Sequence, residues 1–305
     1  MKTPTLISGN RRIVALALAI IALTQATLVV GFANAIGDLV AQSQQRGQVT
    51  YLPAFAFSIA MGIAMLAERA TAERFAQSFV LDCRRSIFEN VVRNSGDDRP
   101  ARWLTALVGD LTAIRNYAVR GSVKLWTSLL AGIAASFWFW LNYPTSQFVL
   151  MPFLLGLLLL LGTAYFLRSA IAVQRNTRGK LNRFLMRRVQ IEASGQSTPR
   201  RHGYRRLQDL SEDLSRKVQK RAFIFGIMEC IAIICGGLSA VLVIIIDRNP
   251  ASNAMIIGQI SLIGFIATRL LETARAMHAQ AGGQIALNRL KRLLAIAPIK
   301  STAEL

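Results

Sequence analysis

Six apolar segments, each near the roughly 20 residues a helix needs to cross a bilayer, are joined by loops of very unequal length. That inequality constrains this chain more than any single motif does. The segments run over 13–37, 52–67, 122–141, 148–167, 223–246 and 254–271. The first, third and fifth connections hold 14, 6 and 7 residues, whereas the second and fourth hold 54 and 55. Short loops force antiparallel neighbours, and loops above 50 residues need structure of their own.

Composition supports the membrane reading. Of 305 residues, 53% are hydrophobic and 17% charged, against about a quarter charged in a soluble domain. The net charge of +20 would suggest nucleic acid in a soluble protein, but its distribution follows the loops. Segments 68–121 and 168–222 carry nine and fifteen basic residues, and the tail after 271 carries five. The short loops 38–51 and 247–253 carry one basic residue each, and 142–147 carries none. By the positive-inside rule both termini and both long loops face the cytoplasm. The charge excess is therefore topological, and no nucleic-acid partner is expected. Arg11-Arg12 precede an apolar run longer than a signal-peptide core with no small-x-small site after it, so the run reads as a first membrane helix.

Both long loops are rich in helix formers, with apolar residues at helical spacing: Val80, Cys83, Ile87 and Val91 in one, Leu207, Leu210, Leu214 and Val218 in the other. Each breaks near its middle, at Asn94-Ser95-Gly96-Asp97-Asp98 before Pro100 and from Gly195 to Gly203. Each is predicted to be a helical hairpin projecting roughly 35–40 Å from the membrane. The fold class is all-α: six transmembrane helices with two long cytoplasmic helical stalks, 68–121 and 168–222.

Nucleotide chemistry is missing its parts. No GxxxxGK[ST] phosphate loop occurs, nor a strand ending in an acidic Mg²⁺ ligand. His202 and His278 stand far apart with no metal-site spacing, and no GxSxG elbow is present. Cys83, Cys230 and Cys235 lack CxxC spacing and read as small apolar residues in packed helices. No enzyme activity, bound cofactor or metal is expected of this chain.

Two stalks between spans two and three and between spans four and five resemble the transmembrane domain of ABC exporters. Arg102-Trp-Leu-Thr-Ala-Leu-Val-Gly-Asp110-Leu-x-x-Ile-Arg115 is similar to the run that opens the family's third helix. Leu181-Asn-Arg-Phe-Leu185, Glu192-x-x-Gly195 and Arg201-His-Gly203 resemble the run around its second coupling helix. Ala286-x-x-Arg289-Leu290-x-x-Leu293-Leu294 resembles the exit of its last helix. Thr273 stands where the family carries a proline, so no kink is expected there.

The resemblance covers about 10–295 and implies a domain plan: a tail at 1–12, a six-helix domain at 13–295, and a linker toward an ATPase domain at 296–305. It implies a membrane-spanning exporter subunit, paired with a second half as homo- or heterodimer, in the inner membrane of a bacterium. ATP and Mg²⁺ would be held by an ATPase on another polypeptide or beyond the end of this one. Contact with that ATPase would fall on Gly96, Asp97, Asp98, Arg99 and Pro100 at one tip. At the other it would fall on Gly195, Gln196, Ser197, Thr198, Pro199, Arg200 and Arg201. The alternative is a membrane scaffold that keeps the exporter fold and moves no cargo. Ala281-Gly282-Gly283-Gln284 resembles an ABC ATPase signature. With no phosphate loop to complete, its glycines read as a flexible point in the exit helix.

Polar residues inside the spans are translocation-path candidates: Gln25, Asn34, Glu229, Gln259 and Arg269. Glu229 reads either as a substrate or proton contact or as the structural partner of Arg269. Gln25, Asn34 and Gln259 either line a path or bond between helices. The basic cluster Arg200-Arg201 … Arg205-Arg206 faces lipid headgroups or an acidic groove on an ATPase.

Overall fold

The computed structural model describes residues 6, 9, 11–44, 50–93, 111–143, 146–193, 200–246 and 253–295. Six helices occupy nearly all of them: α1 (Arg11–Gln44), α2 (Leu52–Arg93), α3 (Leu111–Asn142), α4 (Ser146–Ala193), α5 (Arg200–Ile246) and α6 (Asn253–Ala295). No strand occurs among the described residues. All six are long and apolar enough to cross a membrane, as befits an integral membrane protein.

A bilayer accounts for only part of each. α2, α4, α5 and α6 hold 42, 48, 47 and 43 residues, where about 20 suffice. At about 1.5 Å per residue α4 alone extends roughly 72 Å. Among the described residues, each span and the stalk arm that follows or precedes it are thus one continuous helix in α2, α4 and α5. The spans also run beyond their predicted ends: α1 reaches Gln44, where the sequence suggests a loop from 38. α5 begins at Arg200, so the expected turn up to Gly203 is helical from Arg200 onward. The tip residues Gly96–Pro100 and Gly195–Pro199 lie outside the described residues.

The helices form two unequal groups. α1, α2, α3 and α6 make a bundle, with α1 against α2, α3 and α6, and with α6 running along α3. α4 and α5 pair along their length and lean chiefly on α6. Small residues set the close approaches. Phe57 of α2 fills the space a Cβ would need at Gly31, and a Cβ at Gly258 would stand 2.8 Å from the Ala33 carbonyl oxygen. At Gly236 it would stand 2.7 Å from Ala267 Cβ. Gly31-x-x-x-Ala35 and Gly236-x-x-x-Ala240 are small-xxx-small pairs, and each begins at a glycine in a tight helix contact.

One core runs through the spans, with Phe139, Leu160, Leu167, Met228, Leu262 and Ile263 all but fully buried. A second core lies in the first stalk, where Phe79, Cys83 and Ile87 of α2 meet Ile114 of α3 and Leu290 of α6. Arg11 opens α1 beside it, paired with Asp82 at 2.9 Å and set over the Phe79 ring.

α3 is not uniform. Tyr117–Val123 is a π-helical turn, an irregularity frequent at functional sites. It faces the glycines of α6. The Tyr117 side chain occupies the place of a Gly283 Cβ, and a Cβ at Gly121 would stand 3.0 Å from the Gln280 backbone. Within the unbroken helix α6 (Asn253–Ala295), Gly283 is a notch that admits Tyr117, whereas a Cβ at Gly282 would meet nothing within 4 Å. The same continuity fits Thr273 in place of a proline.

Candidate functional site

Polar side chains of four helices, charged on three of them, meet at one level. Gln25, Glu68, Lys124 and Arg269 lie roughly 24–28 Å along their helices from the short-loop ends, close to the far edge of a hydrocarbon layer about 30 Å thick. Their side chains close a ring. Gln25 Nε2 donates to Glu68 Oε2 at 2.9 Å. Lys124 Nζ reaches Glu68 Oε1 at 3.0 Å and Glu272 Oε1 at 3.1 Å. Arg269 Nη1 donates to Glu272 Oε2 at 2.7 Å, and Arg269 Nη2 donates to Gln25 Oε1. Thr127 caps Glu68 at 2.9 Å and Ser128 caps Glu272 at 3.1 Å.

Two carboxylates and two cations sum to zero. This matters because Arg269 and Glu68 side chains are only 2% and 5% exposed. A lone ion there would carry a large desolvation cost, and a pair offsets it only with full hydrogen bonding. The ring supplies that bonding with one exception. Arg269 Nε is buried and has no hydrogen-bond partner among the described residues, while the guanidinium carbon lies 4.6 Å from the Phe265 ring centroid.

Arg269 is also the floor of a groove of about 430 Å³ between α3, α4 and α6. Ser128 and Thr273 lie with it at the stalk end, and Trp140 and Gln147 at the other. Between them the walls are aliphatic or aromatic, as at Ile133, Phe137, Met151 and Leu154. Gly132 opens the floor, since a Cβ there would make only ordinary contact with Arg269 Cβ at 3.4 Å.

The five path candidates divide. Gln25 and Arg269 meet in the ring, and Gln259 is buried at the α1–α6 approach beside Gly258. Asn34 lies on the exposed side of α1. The suggested Glu229–Arg269 pair does not form. Glu229 Oε1 accepts from Arg275 Nε at 2.7 Å, because α5 meets α6 further along its stalk end, while Arg269 is turned toward α1 and α3. Glu229 joins the hairpin to α6, and the groove does not contain it. Glu68, Lys124 and Glu272 were missing from the sequence candidates. Each stands where an apolar run gives way to charge, which is the signal that points to them.

A second polar contact lies further out on the stalks. Arg221 of α5 donates from Nε and Nη2 to His278 Nε2 of α6 at 3.0 and 2.7 Å, and from Nη1 to Gln174 of α4 at 3.0 Å. His278 stacks on Phe225, centroids 4.4 Å apart. Burial, and next the Arg221 charge, hold the imidazole pKa down at about 4, which suits a ring that must accept. Elsewhere on the stalks, burial pushes the Cys83 thiol up to about 12, so Cys83 is a packing residue. Among the described residues no cluster of His, Cys, Asp and Glu has metal-site geometry.

Compared with known protein families and with curated proteins, the chain matches none.

Proposed function

We propose that this chain is the membrane-spanning half of an ATP-driven exporter of the ABC type. It pairs with a second half and is worked by ATPase domains seated on 96–100 and 195–201. The observation that carries this reading is the continuity of span and stalk. α2, α4 and α5 each run unbroken from the membrane to the edge of one of those two tips. A rod of this kind transmits a push at its end with little loss, whereas a channel or short-loop carrier has no use for it. ATP and Mg²⁺ belong to the ATPase. This chain's part is to couple the closure of two ATPase domains to a rearrangement of its helices, a hinge-type transition. Such coupling requires that ATP favour one global state over the other.

Reconstitution tests this. The full chain is placed in proteoliposomes with a candidate phosphate-loop ATPase, and ATP turnover is measured. Turnover is expected to change when the chain is present and to lose that response when Asp97, Asp98 and Arg99, or Gln196, Ser197 and Thr198, become Ala. If turnover and complex formation ignore both sets, the reading fails and a scaffold role replaces it.

A further inference from the structure

The two stalks differ in how their charge is balanced. Segment 68–121 holds nine basic and seven acidic residues, whereas 168–222 holds fifteen basic and four acidic. In the first stalk carboxylates meet the cations: Arg115 pairs with Glu73, Arg85 with Glu89 and Arg11 with Asp82. In the second, α4 carries seven basic residues from Arg168 to Arg188 and no acid over that stretch. The acids of α5 serve α5 itself, with Glu212 paired to Arg216 and Asp213 to Lys217, each one turn away.

The unbalanced charge is gathered on one side of the arm. Lys180, Arg183 and Arg187 stand at i, i+3 and i+7, so they share a face of α4, and all three are exposed. Arg206 of α5 joins them. Its guanidinium carbon lies 5.8 Å from the ring centroid of Phe184, and Phe184 stands between Lys180 and Arg187 on the same face of α4. Among the described residues no carboxylate forms an ion pair with any of these four cations. Asp209, one turn along α5 from Arg206, does not pair with it either.

We propose that this face of the arm docks an acidic helix of another protein, with carboxylates at matching i, i+3 and i+7 positions. Distance decides against the membrane surface. Arg168 follows the fourth apolar segment, and Lys180 and Arg187 lie roughly 18 and 28 Å further along α4. Anionic headgroups act over a Debye length of only about 8 Å. Charge decides against a second copy of this chain, since neither of its stalks has an acidic excess. The row from Lys180 to Arg187 rises about 10 Å, the rise over which a second helix presents three carboxylates in the same register. Arginine suits the task, because its planar fork takes a carboxylate by two parallel hydrogen bonds. The face stops about 12 Å short of residue 195. It is therefore separate from the 195–201 tip, and the proposal does not depend on the exporter reading.

The test uses the full chain in phosphatidylcholine nanodiscs without any ATPase, so its failure is separate from failure of ATP coupling. The probe is a fluorescent Ala-rich peptide of about 20 residues, long enough to hold a helix, with Glu repeated at i, i+3 and i+7. Its control is an isomer of the same composition with the Glu residues spread around the helix. By fluorescence anisotropy the striped peptide is expected to bind about tenfold more tightly than the isomer. Lys180→Glu, Arg183→Glu and Arg187→Glu together should weaken it about tenfold or more, and the corresponding Gln set should weaken it less. Reversing Arg74, Arg84 and Arg85 on α2 changes the net charge equally and should cost less than about threefold. All six side chains are exposed, so the variants should melt with the parent. Equal binding of the two peptides, or equal losses from the two reversals, overturns the proposal. So does displacement of the peptide by phosphatidylglycerol in the nanodisc, which would give this face to the leaflet. Oligouridylate binding as tightly as the striped peptide at equal charge would overturn it in favour of nucleic acid.

Discussion

The two stalks carry the same kind of sequence stripe and resolve it differently. In the first, Val80, Cys83 and Ile87 are buried, since α3 and the far end of α6 cover them with Ile114 and Leu290. In the second, Leu207, Leu210 and Leu214 are only half-covered and Val218 is 41% exposed. Three helices can enclose a core, whereas a two-helix hairpin leaves one side of each helix open. The electrostatic ties follow the same division. The bundle is closed by a ring of four balanced charges between α1, α2, α3 and α6, with Arg269 and Glu68 buried and Lys124 and Glu272 partly covered. The hairpin is held to α6 by Arg275–Glu229, 57% and 29% exposed, and by Arg221–His278. Outside the apolar core that the spans share, the four-helix unit is therefore more tightly tied than the two-helix arm, and any rearrangement should divide the molecule there.

Four changes probe that division, from the largest effect down. Removing one member of the ring leaves an unpaired ion in the bundle. Arg269→Ala or Glu68→Ala should each cost about 3–5 kcal/mol, read as unfolding of the detergent-solubilised protein. Glu68→Met together with Lys124→Met, which takes out an anion and a cation together, should restore much of the loss. A ring that tolerates the single changes would remove the basis for calling the bundle the more tightly tied unit.

Next comes the notch. Gly283→Ala places a methyl group where Tyr117 sits, an overpacking worth about 1–3 kcal/mol. Adding Tyr117→Ala should recover part of it; equal losses with and without Tyr117 would show that the π-turn does not depend on this contact.

The third change is pH. His278 has a folded pKa of about 4 against 6.5 ordinarily. The unfolded chain therefore takes the proton first as pH falls. The contribution of His278 is complete above about pH 6.5 and is lost from there down to about 4. The charges around it are Arg221 and Glu229 on α5 and Arg275 on α6, with the neutral Gln174 on α4. His278→Gln keeps an acceptor for Arg221 and should flatten the melting-temperature profile between those pH values.

The smallest effect belongs to the exposed pair. A double-mutant cycle on Glu229→Ala and Arg275→Ala should give a coupling of about 0–1 kcal/mol. A coupling as large as that of the ring would erase the contrast between bundle and arm.

Much of this architecture is legible in the chain. Segment lengths and loop charges give six helices and two long stalks, because a bilayer imposes a length and periodicity marks a face. Side-chain partners are less legible. Glu229 and Arg269 are the conspicuous ions within the apolar runs, and pairing them is the natural inference. The structure separates them because α5 meets α6 further along, at Arg275. Glu68, Lys124 and Glu272 look like ordinary span ends, and only the common depth of four helices brings them together. Gly282-Gly283 illustrates the same limit: a glycine lowers helix propensity wherever it stands, and only the facing Tyr117 reveals that this one is there for room. The open stripe on α5 shows that periodicity identifies the face that seeks cover, not the chain that supplies it.

The most direct test measures distances. In a background without the three native cysteines, spin labels are placed at Leu81 of α2 and Lys291 of α6, and separately at Leu81 and Met186 of α4. Both pairs are followed by pulsed electron resonance in proteoliposomes containing the ATPase. A tightly tied bundle with a more loosely tied arm predicts that ATP shifts the Leu81–Met186 distance and leaves Leu81–Lys291 unchanged. Equal shifts in both pairs, or a shift confined to Leu81–Lys291, would contradict it.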